Sequence, residues 1–252
     1  MVEYSNKMSK LPIKIYIAQE TNSKWNICSK RHAEELARQY AEVVSSFGTE
    51  GKQFCTNNCG LCICANNPTG GILVTGINPS GDMAANFAFS FKNALHKSKG
   101  FWHDKAKELI DMRYELIDEL KLSYLDLFPF HNSNQWKFID SLKRMSRSLD
   151  FQRCILEVTQ NEIENVIKPK LIIHANASSA YYWGLNRNAM WMGYKMEKLN
   201  DIPNSLQKLQ GRLYLITGFR DDMARERINS KLKDTNLKGT IFLRHGLYNR
   251  PN

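Results

Sequence analysis

The sequence has no long apolar run. Neither the N-terminal segment MVEYSNKMSKLPIKIYIAQE nor any later stretch is long and apolar enough for a signal peptide or a membrane-spanning helix. We therefore expect an intracellular, cytoplasmic protein with no membrane partner. The chain has only six cysteines, and in a reducing compartment these are not expected to form a disulfide framework.

The sequence also has fewer acidic than basic residues. The 35 lysines and arginines outnumber the 25 aspartates and glutamates, which gives a formal net charge of +10. Such an excess favours an anionic partner, nucleic acid first and an acidic membrane surface second. The alternative is a basic protein that has no polyanionic partner.

The sequence has no internal repeat and no low-complexity linker, so neither a repeat array nor a flexible division into domains is indicated. A chain of 252 residues with 42% apolar content can bury a full core. We expect an N-terminal extension over residues 1–70, packed on a core domain over residues 71–252. A monomer is expected.

Short apolar runs alternate with amphipathic stretches, a pattern typical of helices flanking a sheet. It predicts an α/β fold, a three-layer sandwich around a mostly parallel sheet of four or five strands. The predicted strands are 71–76, 123–128, 170–175, 212–218 and 240–244. The predicted helices are 29–48, closing on Gly48; 104–121; and 150–167, beginning with a capping Asp150 and stopping before Pro169.

The segment VTGINPSGDMAANFAFSF (residues 74–91) follows the first of these strands. The strand GILVTG ends in an amide, a proline and two small residues. Because open α/β sheets bind ligands at strand ends that carry a rigid loop, Asn78 is the first candidate for chemistry. An Asn-Pro pair after a strand is otherwise most often a simple turn.

GINPSG resembles the first active-site motif of the uracil-DNA glycosylase superfamily, in its mismatch-specific and single-strand-selective branches. Those branches carry Gly-(Ile/Met)-Asn-Pro-Gly, in which the Asn positions the attacking water. DMAANFAFSF continues the single-strand-selective pattern, with Met-Ala just after the loop and a base-stacking Phe thirteen residues beyond the Asn. The resemblance implies a three-layer glycosylase-like fold, in which Asn78 positions water and Phe91, or alternatively Phe89, stacks on an everted base.

Three later segments follow the order of the same superfamily. YLDLFPF resembles its second strand, whose Asn reads the flipped base, and KPKLIIHANASSAYYWG resembles its third. TIFLRHGLYNRP resembles the last strand, which ends in His-Pro-Ser; here the His is kept, as His245, and the Pro-Ser is lost. LITGFRDD is a competing candidate for that strand.

These residue types suit N-glycosidic cleavage, which passes through an oxocarbenium-like sugar and a negatively charged departing base. The reaction needs a held water on one side and a donor near the base on the other. The carbonyl of Asn78 can orient water, and His245 can donate to the departing base. The loop after GILVTG can direct backbone N–H groups at a phosphate. Gly76, the last residue of that run, is a candidate for base binding. The hydrolysis requires no cofactor.

Two departures from the uracil pattern bear on the substrate. Asp126 stands where uracil-reading members carry Asn, and a carboxylate, which only accepts, favours the N4 amino group of cytosine. Alternatively, Asp126 is protonated or caps a neighbouring turn. Ser80 stands where strict uracil enzymes place a tyrosine that blocks C5 substituents. Together they favour a C5-modified cytosine, such as the hypermodified cytosines of some viral genomes, and hence a role in antiviral defence.

Other readings stay open. The same scaffold could excise uracil in base excision repair, or bind DNA without catalysis. The segment CTNNCGLCIC supplies Cys55, Cys59, Cys62 and Cys64. The first three match the C-x3-C-x2-C spacing of radical enzymes that bind an iron–sulfur cluster. Four cysteines in ten residues can also bind structural zinc, and free thiols are the alternative.

Basic and aromatic residues complete the prediction of a DNA partner. The candidates for phosphate contact are Arg244, Arg250, Lys143, Arg144 and Arg147; each could instead be a solvated surface charge. The aromatic-rich segment AYYWGLNRNAMWMGY could line a groove, although a buried aromatic core is the better expectation.

Overall fold

The computed structural model describes residues 15–17, 27–58, 60–64, 67–79, 86–89, 121–176, 179–185, 191–200, 211–220, 228–229 and 232–245. Its α-helices are α1 (Ile27–Ser46), α2 (Gly48–Asn57), α3 (Gln135–Lys143) and α4 (Ser148–Glu162). A π-helical turn, Ile163–Ile167, continues α4, and a 3-10 helix covers Ser179–Trp183. No helix within these ranges combines the length and the apolar character needed to cross a membrane.

The strands form two sheets. In chain order the strands are β1 (Ile15–Ile17), β2 (Cys62–Cys64), β3 (Ile72–Thr75), β4 (Asn86–Phe89), β5 (Leu122–Tyr124), β6 (Leu171–His174), β7 (Tyr194–Lys198), β8 (Gly211–Phe219) and β9 (Ile241–His245). A six-stranded sheet has the order β5-β3-β6-β9-β8-β7, and a three-stranded parallel sheet has the order β1-β4-β2.

The larger sheet is mixed. Strands β5, β3, β6 and β9 run parallel to one another, whereas β8 is antiparallel to β9 and to β7. The predicted α/β class is therefore confirmed. The predicted number of strands in the sheet, four or five, is lower than the six that the structure shows. The prediction missed β7 because it is an edge strand whose Lys195, Glu197 and Lys198 are exposed, and charged edge strands lack the apolar signal of buried ones.

Both faces of the parallel strands carry buried apolar side chains. Leu73, Ile172 and Phe242 belong to the large core that the helices cover, while the residues that follow them in each strand belong to a smaller cluster on the other face. This alternation follows from the period of two along a strand. Strands buried on both faces read as continuous apolar runs, which is why the sequence located them.

The helices differ in detail from the prediction. The helix predicted over 29–48 ends at Ser46, and a second helix, α2, begins at Gly48, whose φ of 61° is left-handed. Asp150 is not a cap: the N-cap of α4 is Arg147, and Asp150 lies in the first turn. The predicted stop before Pro169 is confirmed, since Lys168 adopts a left-handed φ of 43°. The predicted helix 104–121 lies outside the described residues except for its last position, Lys121.

The N-terminal helices share the core with the sheet. The Tyr40 hydroxyl on α1 lies 2.9 Å from the Thr159 hydroxyl on α4, which donates to the Leu127 carbonyl at 2.9 Å. Strands β1 and β2, from the predicted extension, pair with β4 from the predicted core domain. In the aromatic-rich segment, Trp183 and Tyr194 are fully buried, as expected for a core role.

Candidate functional site

The carboxyl ends of the four parallel strands meet at one edge of the sheet. Continuing the register beyond the pairs Val74–Tyr124, Thr75–His174 and His174–Arg244 aligns Asp126, Gly76, Ala175 and His245 in one row. With strands about 4.8 Å apart, Gly76 and His245 are separated by roughly 10 Å. The chain passes from β3 to β5 on one side and then to β6 on the other. Ligands bind open sheets at such a reversal.

The loop after β3 is fixed by backbone hydrogen bonds to the segment after β5. The carbonyls of Gly76, Ile77 and Pro79 accept hydrogen bonds from the amides of Leu127, Phe128 and Asn132, at 3.1, 2.9 and 3.0 Å respectively. The strand-like pairing thus continues past the end of β3. This makes the Asn-Pro loop a rigid platform at the edge of the sheet.

The Asn78 side chain is half-buried on this platform. Its Nδ2 lies 3.1 Å from the carbonyl oxygen of Pro79, 3.2 Å from that of Asn132 and 3.4 Å from that of Phe130. Three carbonyl acceptors assign the amide orientation, because only the NH₂ group can donate to them. The Oδ1 atom consequently points away from these carbonyls and can accept a hydrogen bond from a water molecule.

Asp126 is 2% exposed and holds the first residue of the loop. Its Oδ1 accepts from the Gly76 amide at 2.5 Å, and its Oδ2 accepts from the Tyr124 hydroxyl. Burial raises the pKa of Asp126 to about 7, against the opposing effect of these two donors. These two hydrogen bonds match the alternative prediction, in which Asp126 caps a neighbouring turn. Tyr124 was not identified from the sequence, although it stands two residues before Asp126 on the same strand face.

Two histidines end adjacent strands of this edge. His245, the last residue of β9, is 5% exposed. His174, the last residue of β6, is fully buried, with Nε2 2.8 Å from the Ser179 hydroxyl and its ring stacked on Phe242 at 5.7 Å. Burial lowers the pKa of His174 to about 3, so this ring is neutral at physiological pH. Its position at the end of the run KLIIHA is the sequence signal that could have identified it.

The described cysteines do not fit a shared metal site. Cys55 packs in the large core and Cys64 in the smaller cluster on the other face of the sheet. Burial raises the pKa of Cys55 to about 11, and burial together with the nearby Asp126 raises the pKa of Cys62. Within the part of the chain that the structure describes, no group of three His, Cys, Asp or Glu could hold a metal ion. Cys59 lies outside that part, so metal binding stays a prediction.

Three of the predicted phosphate contacts lie near the α3–α4 junction. Lys143 is exposed at the end of α3. Arg144 forms an ion pair with Asp140 at 2.5 Å. Arg147 pairs with Asp150 at 3.3 Å and lies over the Phe47 ring. Arg244, on β9, is half-buried.

Several predicted site residues lie outside the described residues: Ser80, Phe91 and Arg250. Phe89 ends β4, whose backbone pairs with β1 and β2, and its side chain also lies outside the description. The structure therefore joins Gly76 to Asp126, holds Asn78 two residues further along the same loop, and places His245 in the same row as Gly76.

A polar cavity of about 550 Å³ opens beside the Asn78 loop, between α2 and α3. Asn132, whose carbonyl accepts from Asn78, also lines this cavity and donates through Nδ2 to Asn58 Oδ1 at 2.9 Å. The sequence did not single out either residue. The sequence signal that could have identified Asn132 is the polar run HNSN, residues 131–134, which directly follows the segment YLDLFPF.

Comparison of this chain with protein-family models, with curated proteins and with solved structures found no match in any of the three.

Proposed function

We propose that this protein is a monofunctional DNA glycosylase that everts a pyrimidine nucleotide, hydrolyses its N-glycosidic bond and leaves an abasic site. The observation that carries the proposal is the Asn78 amide, held by three backbone carbonyls on a rigid loop at the carboxyl edge of the parallel strands. A formal charge of +10 supports a polyanionic substrate. The resemblance of the loop to the glycosylase motif supports the reaction type.

In the proposed reaction the bond from C1′ to the base nitrogen breaks, and its electron pair leaves with the base. The water oxygen bonds to C1′, and one water proton passes to the base or to solvent. Asn78 Oδ1 orients that water. His245 donates a hydrogen bond to the base as negative charge develops on it, which stabilises the transition state more than the ground state.

The favoured substrate is a C5-modified cytosine. A carboxylate has about four lone-pair sites, and Gly76 and Tyr124 occupy two of those on Asp126. The cytosine N4 amino group can donate to a third. Together with the small Ser80, which leaves room at C5, this supports action on hypermodified viral DNA and a role in antiviral defence.

Uracil is the second candidate, and the pKa of Asp126 favours it. Because that pKa is raised to about 7, a large share of the carboxyl is protonated near neutral pH. A protonated carboxyl has one donor and one acceptor, as an asparagine amide has, and can bond to both O4 and N3–H of uracil. The enzyme would then serve base excision repair.

One panel of oligonucleotides separates these substrates. Otherwise identical strands contain uracil, a thymine mismatch, hydroxymethylcytosine or glucosylated hydroxymethylcytosine, and alkali-induced scission reports abasic sites. The proposal expects scission at a modified cytosine. Scission at uracil alone would replace the favoured substrate with the second candidate.

Asn78→Ala tests the chemistry. We expect a loss of about 10²–10³ in the rate of base release, the usual effect of removing one preorganised polar group, with DNA binding retained. Asn200→Ala, at an exposed position on another loop, is the control and should keep the wild-type rate. A wild-type protein that binds DNA but releases no base from the whole panel would instead be a non-catalytic DNA-binding module.

A further inference from the structure

A second recognition site lies beside the proposed catalytic loop, in the cavity between α2 and α3. Amide and hydroxyl side chains of Gln53, Asn57, Asn58, Asn132 and Ser141 line it, and Phe54 and Met145 supply apolar surface. The charged lining residues are Glu50, Lys137, Asp140 and Arg144; Asp140 pairs with Arg144, and the Glu50 carboxylate accepts from the amide and the hydroxyl of Ser146. Side-chain amides carry both donors and acceptors, as the edges of nucleobases do, and apolar surface suits their faces. At about 550 Å³ the cavity is large enough for one nucleobase.

The polar wall of this cavity is built by a hydrogen-bond network. Asn58 is fully buried; its Nδ2 donates to the Phe54 carbonyl at 2.9 Å and to the Ser141 hydroxyl at 3.0 Å. Its Oδ1 accepts from Asn132 Nδ2, and the Asn132 carbonyl accepts from Asn78. A base seated in the cavity would therefore be two hydrogen bonds away from the amide that is proposed to position water.

The rim of the cavity carries an exposed tryptophan. Trp136, in the first turn of α3, has 81% of its surface exposed, and it is one of two large apolar side chains so exposed among the described residues. Helical periodicity puts it next to Asp140, four residues on, which lines the cavity. Lys137 and Lys143, on the same helix, are exposed nearby.

An exposed tryptophan flanked by lysines matches the chemistry of a DNA strand. Aromatic side chains stack on unpaired bases of any sequence, and cations follow the phosphates. The neighbouring amides then meet the edge of the adjoining base.

We propose that Trp136 and the cavity form a flanking-nucleotide subsite for single-stranded or unpaired DNA. One base next to the target nucleotide enters the cavity, the following base stacks on Trp136, and their phosphates lie near Lys137 and Lys143. The proposal rests on the proposed function for the identity of its ligand. It assigns binding, and no chemistry, to this subsite.

The test measures binding without cleavage. A fluorescently labelled single-stranded oligonucleotide of ordinary bases is titrated with the full-length wild-type protein and with variants, and fluorescence anisotropy gives Kd. We expect Trp136→Ala to raise Kd about tenfold, within the range of lost base stacking. Trp136→Phe keeps an aromatic face and should stay within about threefold of wild type. Asn57→Ala, in the cavity wall, should also weaken binding.

Leu149→Ala is the matched control, since Leu149 is the other highly exposed apolar side chain, at 65%, and lies on α4. It should leave Kd unchanged. The subsite proposal is wrong if Trp136→Ala and Asn57→Ala bind as tightly as wild type, or if wild type binds no DNA. Weakened binding by both variants in a protein that releases no base would keep the subsite and reject the glycosylase activity.

Discussion

The surroundings of Asp126 have two opposing effects on the charge of its carboxyl group. Its carboxylate is needed as an acceptor for the Gly76 amide and the Tyr124 hydroxyl, yet burial disfavours the charge that makes it a strong acceptor. The effect of desolvation is larger than that of the two hydrogen-bond donors, so the pKa of Asp126 rises to about 7. The residue that holds the catalytic loop in our proposal is therefore also the residue whose charge changes near physiological pH.

The first prediction at this scale concerns stability. Because the folded pKa of Asp126 lies above its ordinary value of 3.8, this group favours folding most below about pH 4. Its contribution falls as pH rises to about 7 and is constant above that. Asp126→Asn keeps an acceptor for Gly76 and removes the charge. Relative to wild type, the variant should gain about 2–4 kcal/mol of unfolding free energy between pH 4 and pH 8, since each tenfold change in proton affinity is worth about 1.4 kcal/mol.

Urea unfolding of both proteins at pH 4, 6 and 8 measures this difference. Glu157→Gln, an acid-to-amide change at a less buried position of α4, is the control and should show a much smaller pH dependence. A constant difference between Asp126→Asn and wild type across the series would contradict the prediction.

The second residue-scale prediction concerns the base. Asp126→Asn always presents one donor and one acceptor, so it should favour uracil over a modified cytosine at every pH. Relative to wild type, the ratio of kcat/KM values should change by about 5- to 150-fold at pH 8, where the wild-type carboxyl is ionised, which corresponds to the 1–3 kcal/mol of a mispaired base edge. The change should be smaller at pH 6, where the wild-type carboxyl is largely protonated. Single-turnover base release from the two oligonucleotides at pH 6 and pH 8 gives this ratio. An unchanged ratio would show that Asp126 does not read the base and serves only to hold the loop through its contact with Gly76.

At the scale of elements, the platform depends on a buried link between α1, α4 and the segment after β5. Thr159 joins Tyr40 to the Leu127 carbonyl. Thr159→Val removes the hydroxyl without changing the shape, and it leaves two buried polar groups without this partner. We expect a loss of about 1–3 kcal/mol in unfolding free energy, measured by urea denaturation.

A matched helical threonine provides the control for this change. Thr56, on the exposed surface of α2, bonds to the carbonyl four residues earlier, as Thr159 also does. Thr56→Val should change stability by less than about 0.5 kcal/mol. In a double-mutant cycle, adding Tyr40→Phe to Thr159→Val should cost less than adding it to wild type. If the effects of the two changes on the unfolding free energy simply add, the Tyr40 and Thr159 hydroxyls are not energetically coupled.

The sequence predicted the parallel elements better than their surroundings. Strands β3, β6 and β9 were found because burial on both faces demands continuous apolar residues. Strand β7 was missed because one edge faces solvent, and the start of α4 was misplaced because Arg147, with no side-chain cap, precedes it. Within the site, Asn78 was identified from its loop. The partners that fix it are backbone carbonyls, which no side-chain pattern reveals.

At the scale of the whole molecule, the role of charge in DNA binding can be tested by changing exposed lysines at different positions. The order of the sheet puts β7 at one edge and β5 at the other, next to the proposed site. Lys143 on α3 and Lys198 on β7 are both exposed lysines. They contribute equally to the net charge of +10 and differ only in where they lie.

This pair gives the last prediction, on the salt dependence of DNA binding. Each phosphate that a cation neutralises releases counterions, so it adds about 0.7–0.9 to the slope of log Kd against log salt concentration. If Lys143 meets a phosphate, Lys143→Gln should lower the slope by about that amount, whereas Lys198→Gln should leave it nearly unchanged. Anisotropy titrations from about 50 to 200 mM salt, a range wide enough for such slopes, measure both. Equal slopes for the two variants would mean that the protein attracts DNA through its total charge, and that the helical face beside Asn78 does not hold the strand.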